Sequence, residues 1–208
     1  MKSIFDSGHS IRVGILLYPE VEVLDFAGPF EVFSVASRVA KRDLQLSVPS
    51  FDVSTVATRK EMVLTRHGLK VLPDHGIADA PIFNLLIVPG GIVTQPLHDQ
   101  EILDYISMAS SQSLLTASVC TGAFLLAKVG LLDGQEVTTH WEDIPDLCAN
   151  FPSLKVIEDV PFVDNGNIVT SAGISAGIGM SLHLVGRILG EKIALDTARQ
   201  MQFDWKPS

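Results

Sequence analysis

The run LLIV at 85–88 passes straight into Pro89-Gly90-Gly91, and this junction limits what the chain can fold into. A strand with one wet face alternates apolar and polar residues, whereas a short run without alternation is covered on both sides. A second junction of the same kind follows. Leu114 to Val119 (LLTASV) reads as a buried strand and gives way at Cys120-Thr121-Gly122 to Ala123, Phe124, Leu125, Leu126 and Ala127, which suit a helix. Gly130 is a natural helix end.

The remaining pattern alternates strands with helices. Ile11 to Leu17, Phe51 to Ala57 and Glu136 to Thr139 read as strands. Glu61 to Leu72 reads as a hairpin turning at His67-Gly68, and residues 162–164 and 168–170 as another around Asn165-Gly166. Helices are expected from near Pro29 to Val39, over 99–111 and 121–129, near 141–149, and over 175–189 and 191–203. This order predicts an α/β sandwich: a mostly parallel sheet with helices on both faces. With 208 residues, 47% of them hydrophobic, one substantial core is affordable, and no linker or repeat divides it. We therefore expect a loose tail over 1–10 and a single domain over 11–208.

Charge and cysteine usage narrow the function. A net charge of −9 argues against a nucleic-acid surface. The N-terminus has no apolar signal core, the apolar runs are too short or too interrupted to span a bilayer, and two distant cysteines form no secretory framework. A cytoplasmic location is the expectation. The six histidines lack ligand spacing, so neither a metal nor another cofactor is expected. The glycines at 173, 177 and 179 miss the dinucleotide fingerprint and suit close helix packing.

In open parallel sheets, ligands bind beyond the carboxyl ends of the strands. Three such ends carry chemistry here: YPEVEVLDFAGP with Glu20, Glu22 and Asp25, then PGG, then Cys120-Thr121-Gly122. Singly, Asp25 reads as a helix cap and the glycines as a turn, while Cys120 reads equally as a buried filler or a nucleophile. Together they read as a nucleophile on a strand-to-helix elbow. The helix N-terminus after Cys120 favours a thiolate, the N–H groups of Thr121 and Gly91 can form an anion-stabilising pair, and Asp25 can move a proton. Phe26, Gly90, His140, Trp141 and Ser171, with Ile174, are candidates for the pocket wall; Phe26 and Trp141 serve equally as core. Cys148 reads as inert packing on a helix.

Five ordered stretches carry a family resemblance: YPEVEVLDFAGPFEVF at 18–33, IVPGG at 87–91, SVCTGAFLLAKVGLLDG at 118–134, TTHW at 138–141 and TSAGISAGIGMSLHLV at 170–185. The chain resembles the DJ-1/PfpI (ThiJ) superfamily from about Arg12 to Met201. The resemblance implies a flavodoxin-like sandwich, a strained elbow at Cys120, an acid contact from Asp25 and a homodimer. Aspartate in LDFAGP with Cys-Thr-Gly resembles the isonitrile hydratase branch and the amino-terminal domains of AraC-type regulators. Thr121 stands where protease-like members often carry histidine. The implied activity is hydration of a small isonitrile to an N-substituted formamide through a Cys120 thioimidate. A small-molecule or redox sensor is the alternative, and an amidase or peptidase a weaker one. His140 either orients a group near the site or caps the turn before Trp141, with the structural role favoured. The regulators continue into a helix-turn-helix module, whereas this chain stops at Ser208, so no DNA-binding half is expected.

Overall fold

The computed structural model describes residues 10–207; the tail assigned to the N-terminus lies, but for Ser10, outside them. In chain order the strands are β1 (Ile11–Leu16), β2 (Phe51–Ala57), β3 (Val63–Leu64), β4 (Lys70–Val71), β5 (His75–Gly76), β6 (Leu85–Val88), β7 (Leu115–Val119), β8 (Glu136–Val137), β9 (Lys155–Val156), β10 (Phe162–Asp164) and β11 (Ile168–Ser171). The α-helices are α1 (Val23–Asp43), α2 (Gln100–Gln112), α3 (Gly122–Lys128), α4 (Ile144–Asn150), α5 (Ala176–Leu189) and α6 (Glu191–Gln200).

The main sheet has seven strands in the order β10-β11-β7-β6-β1-β2-β5. Only β10 runs antiparallel. This is the α/β sandwich expected from the alternating pattern, in the flavodoxin-like form that the family resemblance implies. Its middle strands are apolar because both faces are covered: all four residues of β6 are buried, as are Val13, Ile15 and Leu16 of β1. Burial of each large aliphatic side chain contributes about 1.5–3 kcal/mol. Side-chain parity in β7 shows the two layers. Thr116 Oγ1 meets Ser110 of α2 at 2.9 Å, while Val119 abuts Gly177 of α5 on the other face. A Cβ on Gly177 would fall 2.8 Å from Val119, so close packing explains that glycine. The layer with α5 also holds α1 and α6, and the opposite layer holds α2 and α3.

The hairpin at 61–72 is β3 and β4 joined through Arg66–Gly68, with His67 and Gly68 at positive φ. The second hairpin is β10 and β11. One boundary differs with consequences. Helix α1 starts at Val23 rather than near Pro29, which lies inside it. Asp25 therefore sits in the first helical turn and is not a cap; the cap position is Glu22, whose side chain makes no capping bond.

Strand order reverses beside β1: β2 and β5 extend the sheet one way, β6 and β7 the other. The crevice beyond the carboxyl ends of β1 and β6 is thus the expected ligand position. No helix of the described residues is long and apolar enough to cross a membrane.

Candidate active site

Cys120 follows the last residue of β7 and turns the chain with φ at 57°. A non-glycine residue held there stores about 1–3 kcal/mol of strain, so the surroundings must impose it. Two residues on, a Cβ at Gly122 would lie 2.1 Å from the Val88 carbonyl oxygen. Glycine at 122 is what lets the elbow pass the end of β6. Thr139 Oγ1 donates to the Cys120 carbonyl at 2.8 Å, and the Cys120 N–H donates to Ser171 O at 3.1 Å. The elbow is thereby tied to both neighbouring segments.

The loop after β1 is laced to the Pro-Gly-Gly turn. Glu22 N–H donates to Gly90 O at 2.9 Å, and Ile92 N–H donates to Glu20 O at 3.1 Å. Tyr18 donates its hydroxyl to Pro89 O at 2.7 Å. This lacing carries Asp25 to the sulfur's neighbourhood. The Asp25 side chain is wholly buried; Oδ2 accepts the Gly90 N–H at 3.0 Å, and Oδ1 has no hydrogen-bond partner. Burial pushes its carboxyl up from 3.8 to about 7, with the Glu22 charge adding, against the steadying Gly90 N–H. Burial, then the Asp25 charge, also pushes the Cys120 thiol up, while the Thr121 N–H works the other way. Desolvation and a neighbouring acid thus oppose the thiolate expected from the helix end, with the Thr121 N–H as the one donor on its side. Burial, then the ionised forms of Asp25 and Cys120, raise the Tyr18 hydroxyl as well, so three groups share one desolvated pocket.

The expected anion-binding pair is corrected. Thr121 Oγ1 accepts the Gly91 N–H and donates to Gly91 O, both at 2.9 Å. The Gly91 N–H is spent on this clasp, which leaves the Thr121 N–H as the donor serving the sulfur.

A cavity of about 900 Å³ opens over the elbow. Cys120, Thr121, Gly91, Phe124, His140 and Ile174 are among its walls, with Arg66, Glu142 and Asp143 in its charged lining. Of the expected wall residues, His140 and Ile174 line it. Phe26 is core, Gly90 lies behind the wall on Asp25, and Ser171 is buried in β11 with its hydroxyl on Ala172 O. Trp141 is 71% exposed, neither wall nor core. Cys148 is exposed on α4 rather than packed, because Ile144 and Leu147 supply the inward face of that short helix.

Three participants escaped sequence reasoning. Arg66 reaches from the β3–β4 hairpin to Glu22, Nη1 to Oε2 at 3.1 Å. Asp143 Oδ2 lies 3.2 Å from His140 Nδ1, a pairing that the i,i+3 spacing in HWED could have signalled. Gly173 was read as helix packing, but a Cβ there would fall 2.6 Å from both Cys120 Sγ and His140 Cδ2.

Fold and site together define a doubly wound α/β protein with a cysteine on a strained strand-to-helix elbow, one strand away from the strand-order switch. The chain belongs to the DJ-1/PfpI family, whose model matches residues 11–187. It is 33% identical over 202 residues to isonitrile hydratase of Pseudomonas putida, covering 96% of this chain and 80% of that one. It is 29% identical over 182 residues to the HTH-type transcriptional regulator GbdR of Pseudomonas aeruginosa, covering 88% of this chain and 48% of the regulator. Among solved structures, a ThiJ/PfpI family protein from Pseudomonas syringae superposes with a TM-score of 0.82 at 24% identity, covering 96% of this chain and 77% of that one.

Proposed function

We propose that the chain is an isonitrile hydratase-like enzyme that acts through Cys120 and Asp25. The observation that carries this reading is a sealed carboxyl, raised to about 7, next to a buried thiol on a strained elbow. A group titrating near neutrality can both take and give a proton at working pH. The likeness to the P. putida hydratase supplies the substrate class.

The steps balance as follows. Asp25 as carboxylate takes the Cys120 proton, and the sulfur bonds to the terminal carbon of the isonitrile. Asp25 returns that proton to the same carbon, giving a thioimidate, S–CH=N–R. Water then adds, the carbon–sulfur bond breaks, and the N-substituted formamide leaves with the thiol restored. Protonated Asp25 cannot begin this sequence. Turnover per free enzyme should therefore fall as pH drops below about 7.

The test is formamide production from a panel of aliphatic and aromatic isonitriles. We expect turnover by wild type and a loss of roughly 10²-fold in Asp25→Asn. Absence of formamide from every panel member would overturn the enzyme reading. The likeness to GbdR would then favour the alternative, a cysteine-lined pocket that senses a small molecule.

A further inference from the structure

The hydration reading leaves one step without an owner. Water must be activated to attack the thioimidate, and Asp25 is poorly placed to meet it. Its side chain is wholly buried, behind the Gly90 N–H, and it is absent from the cavity wall. His140 has the complementary position: it lines the cavity, where water has access, with its side chain 17% exposed.

We propose that His140, oriented by Asp143, moves the proton of the hydrating water, leaving carbon protonation to Asp25. The proposal rests on the hydration reading above. Three observations carry it. The Cys120 sulfur and His140 Cδ2 both lie 2.6 Å from the point a Gly173 Cβ would occupy, so sulfur and imidazole pack against the same glycine, where no larger residue fits between them and the backbone. Cδ2 adjoins Nε2 in the ring, so this is the edge that Nε2 shares. The opposite ring nitrogen, Nδ1, lies 3.2 Å from Asp143 Oδ2, which sets the tilt of the ring. The TTH segment is fastened on both sides. Thr138 N–H donates to Thr170 Oγ1 at 2.9 Å, and Thr139 Oγ1 donates to Cys120 O at 2.8 Å. The imidazole is thus held in register with the elbow that bears the sulfur.

In the step itself, water oxygen bonds to the thioimidate carbon and one water proton goes to His140 Nε2. The carbon–nitrogen π pair moves to nitrogen, which takes the proton from the imidazolium. The adduct is S–CH(OH)–NHR. His140 next removes the hydroxyl proton as the carbon–sulfur bond breaks with its electron pair on sulfur. The imidazolium then protonates the sulfur. No oxidant or further reactant is needed.

The experiment mixes His140→Gln with a turned-over isonitrile and follows intact mass and formamide together. We expect a Cys120 adduct, one isonitrile heavier, to accumulate at close to one per chain, with formamide turnover down roughly 10²-fold. Asp25→Asn should instead form little adduct. Added imidazole should restore turnover to His140→Gln. Asp143→Asn, at a side chain 35% exposed and so tolerant of change, should accumulate the same adduct to a smaller extent and carries the test if His140→Gln does not fold. Wild-type turnover in His140→Gln, or loss of adduct along with turnover, would overturn the proposal. Wild type that forms neither adduct nor formamide would sink the hydration reading itself, and the proposal with it.

Discussion

The two cysteines of the chain occupy opposite settings, and the contrast separates accessibility from the surroundings that the proposed chemistry needs. Cys148 lies exposed on α4, open to any reagent. Cys120 is only 7% exposed, strained at φ 57°, and crowded by Gly173, Thr139 and the buried Asp25. Exposure makes a thiol accessible; it does not supply a proton acceptor, a fixed approach or a pocket. The elbow supplies all three, at the cost of raising the thiol's own pKa. A reaction begun by handing the proton to Asp25 fits that setting better than one begun from a standing thiolate.

The largest effect should come from exchanging the sulfurs one at a time. Cys120→Ser should lose roughly 10³-fold or more of isonitrile hydration, since removing an attacking group removes the covalent route. Cys148→Ser should stay within about twofold of wild type. Formamide assays on the two variants, side by side, check this; equal losses would erase the contrast.

A smaller effect concerns what the elbow costs in stability. Asp25 is raised from 3.8 to about 7 on folding. Its favourable contribution is present below about pH 4 and is lost as pH rises through about 7. At about 1.4 kcal/mol per pKa unit, the wild type carries a penalty of a few kcal/mol at about pH 8. Asn at position 25 keeps an acceptor for Gly90 but carries no charge to bury. Asp25→Asn should therefore gain stability over wild type at about pH 8 and much less at about pH 5, by urea unfolding at both. An equal difference at the two pH values would mean that the carboxyl is not desolvated as described.

The same contrast explains what could be read from sequence. β2 and β6 were legible to the residue, because both runs are bounded by loop residues, with Leu85–Val88 apolar and buried throughout and Phe51–Ala57 broken by the exposed Asp52 as a half-covered strand is. The convergence of Asp25, the Pro-Gly-Gly turn and Cys120 was legible because strand ends in a parallel sheet share one edge. Other features depend on neighbours distant in sequence. β5 and β9 are two residues each and exist only through pairing with β2 and β8. The spent Gly91 N–H depends on the rotamer of Thr121, thirty residues away. Cys148 stands four residues after Ile144, a spacing that usually shares a buried face; α4 is too short to bury it, and Leu147 takes that place. The upward push on the Cys120 thiol is hidden for the same reason: helix-end electrostatics are local and visible in sequence, whereas burial and the charge of Asp25 are set by the fold.

The most direct measurement is the pH dependence of Cys120 alkylation by iodoacetamide in the Cys148→Ser background, with the site confirmed by peptide mass. A thiol raised by burial and by a neighbouring acid reacts through a small thiolate fraction that keeps growing with pH. We expect the rate at Cys120 to be still rising at about pH 9. A rate that levels off by about pH 7 would show a thiolate stabilised by the helix end, and would contradict the pairing of a neutral Cys120 thiol with Asp25 as its proton acceptor.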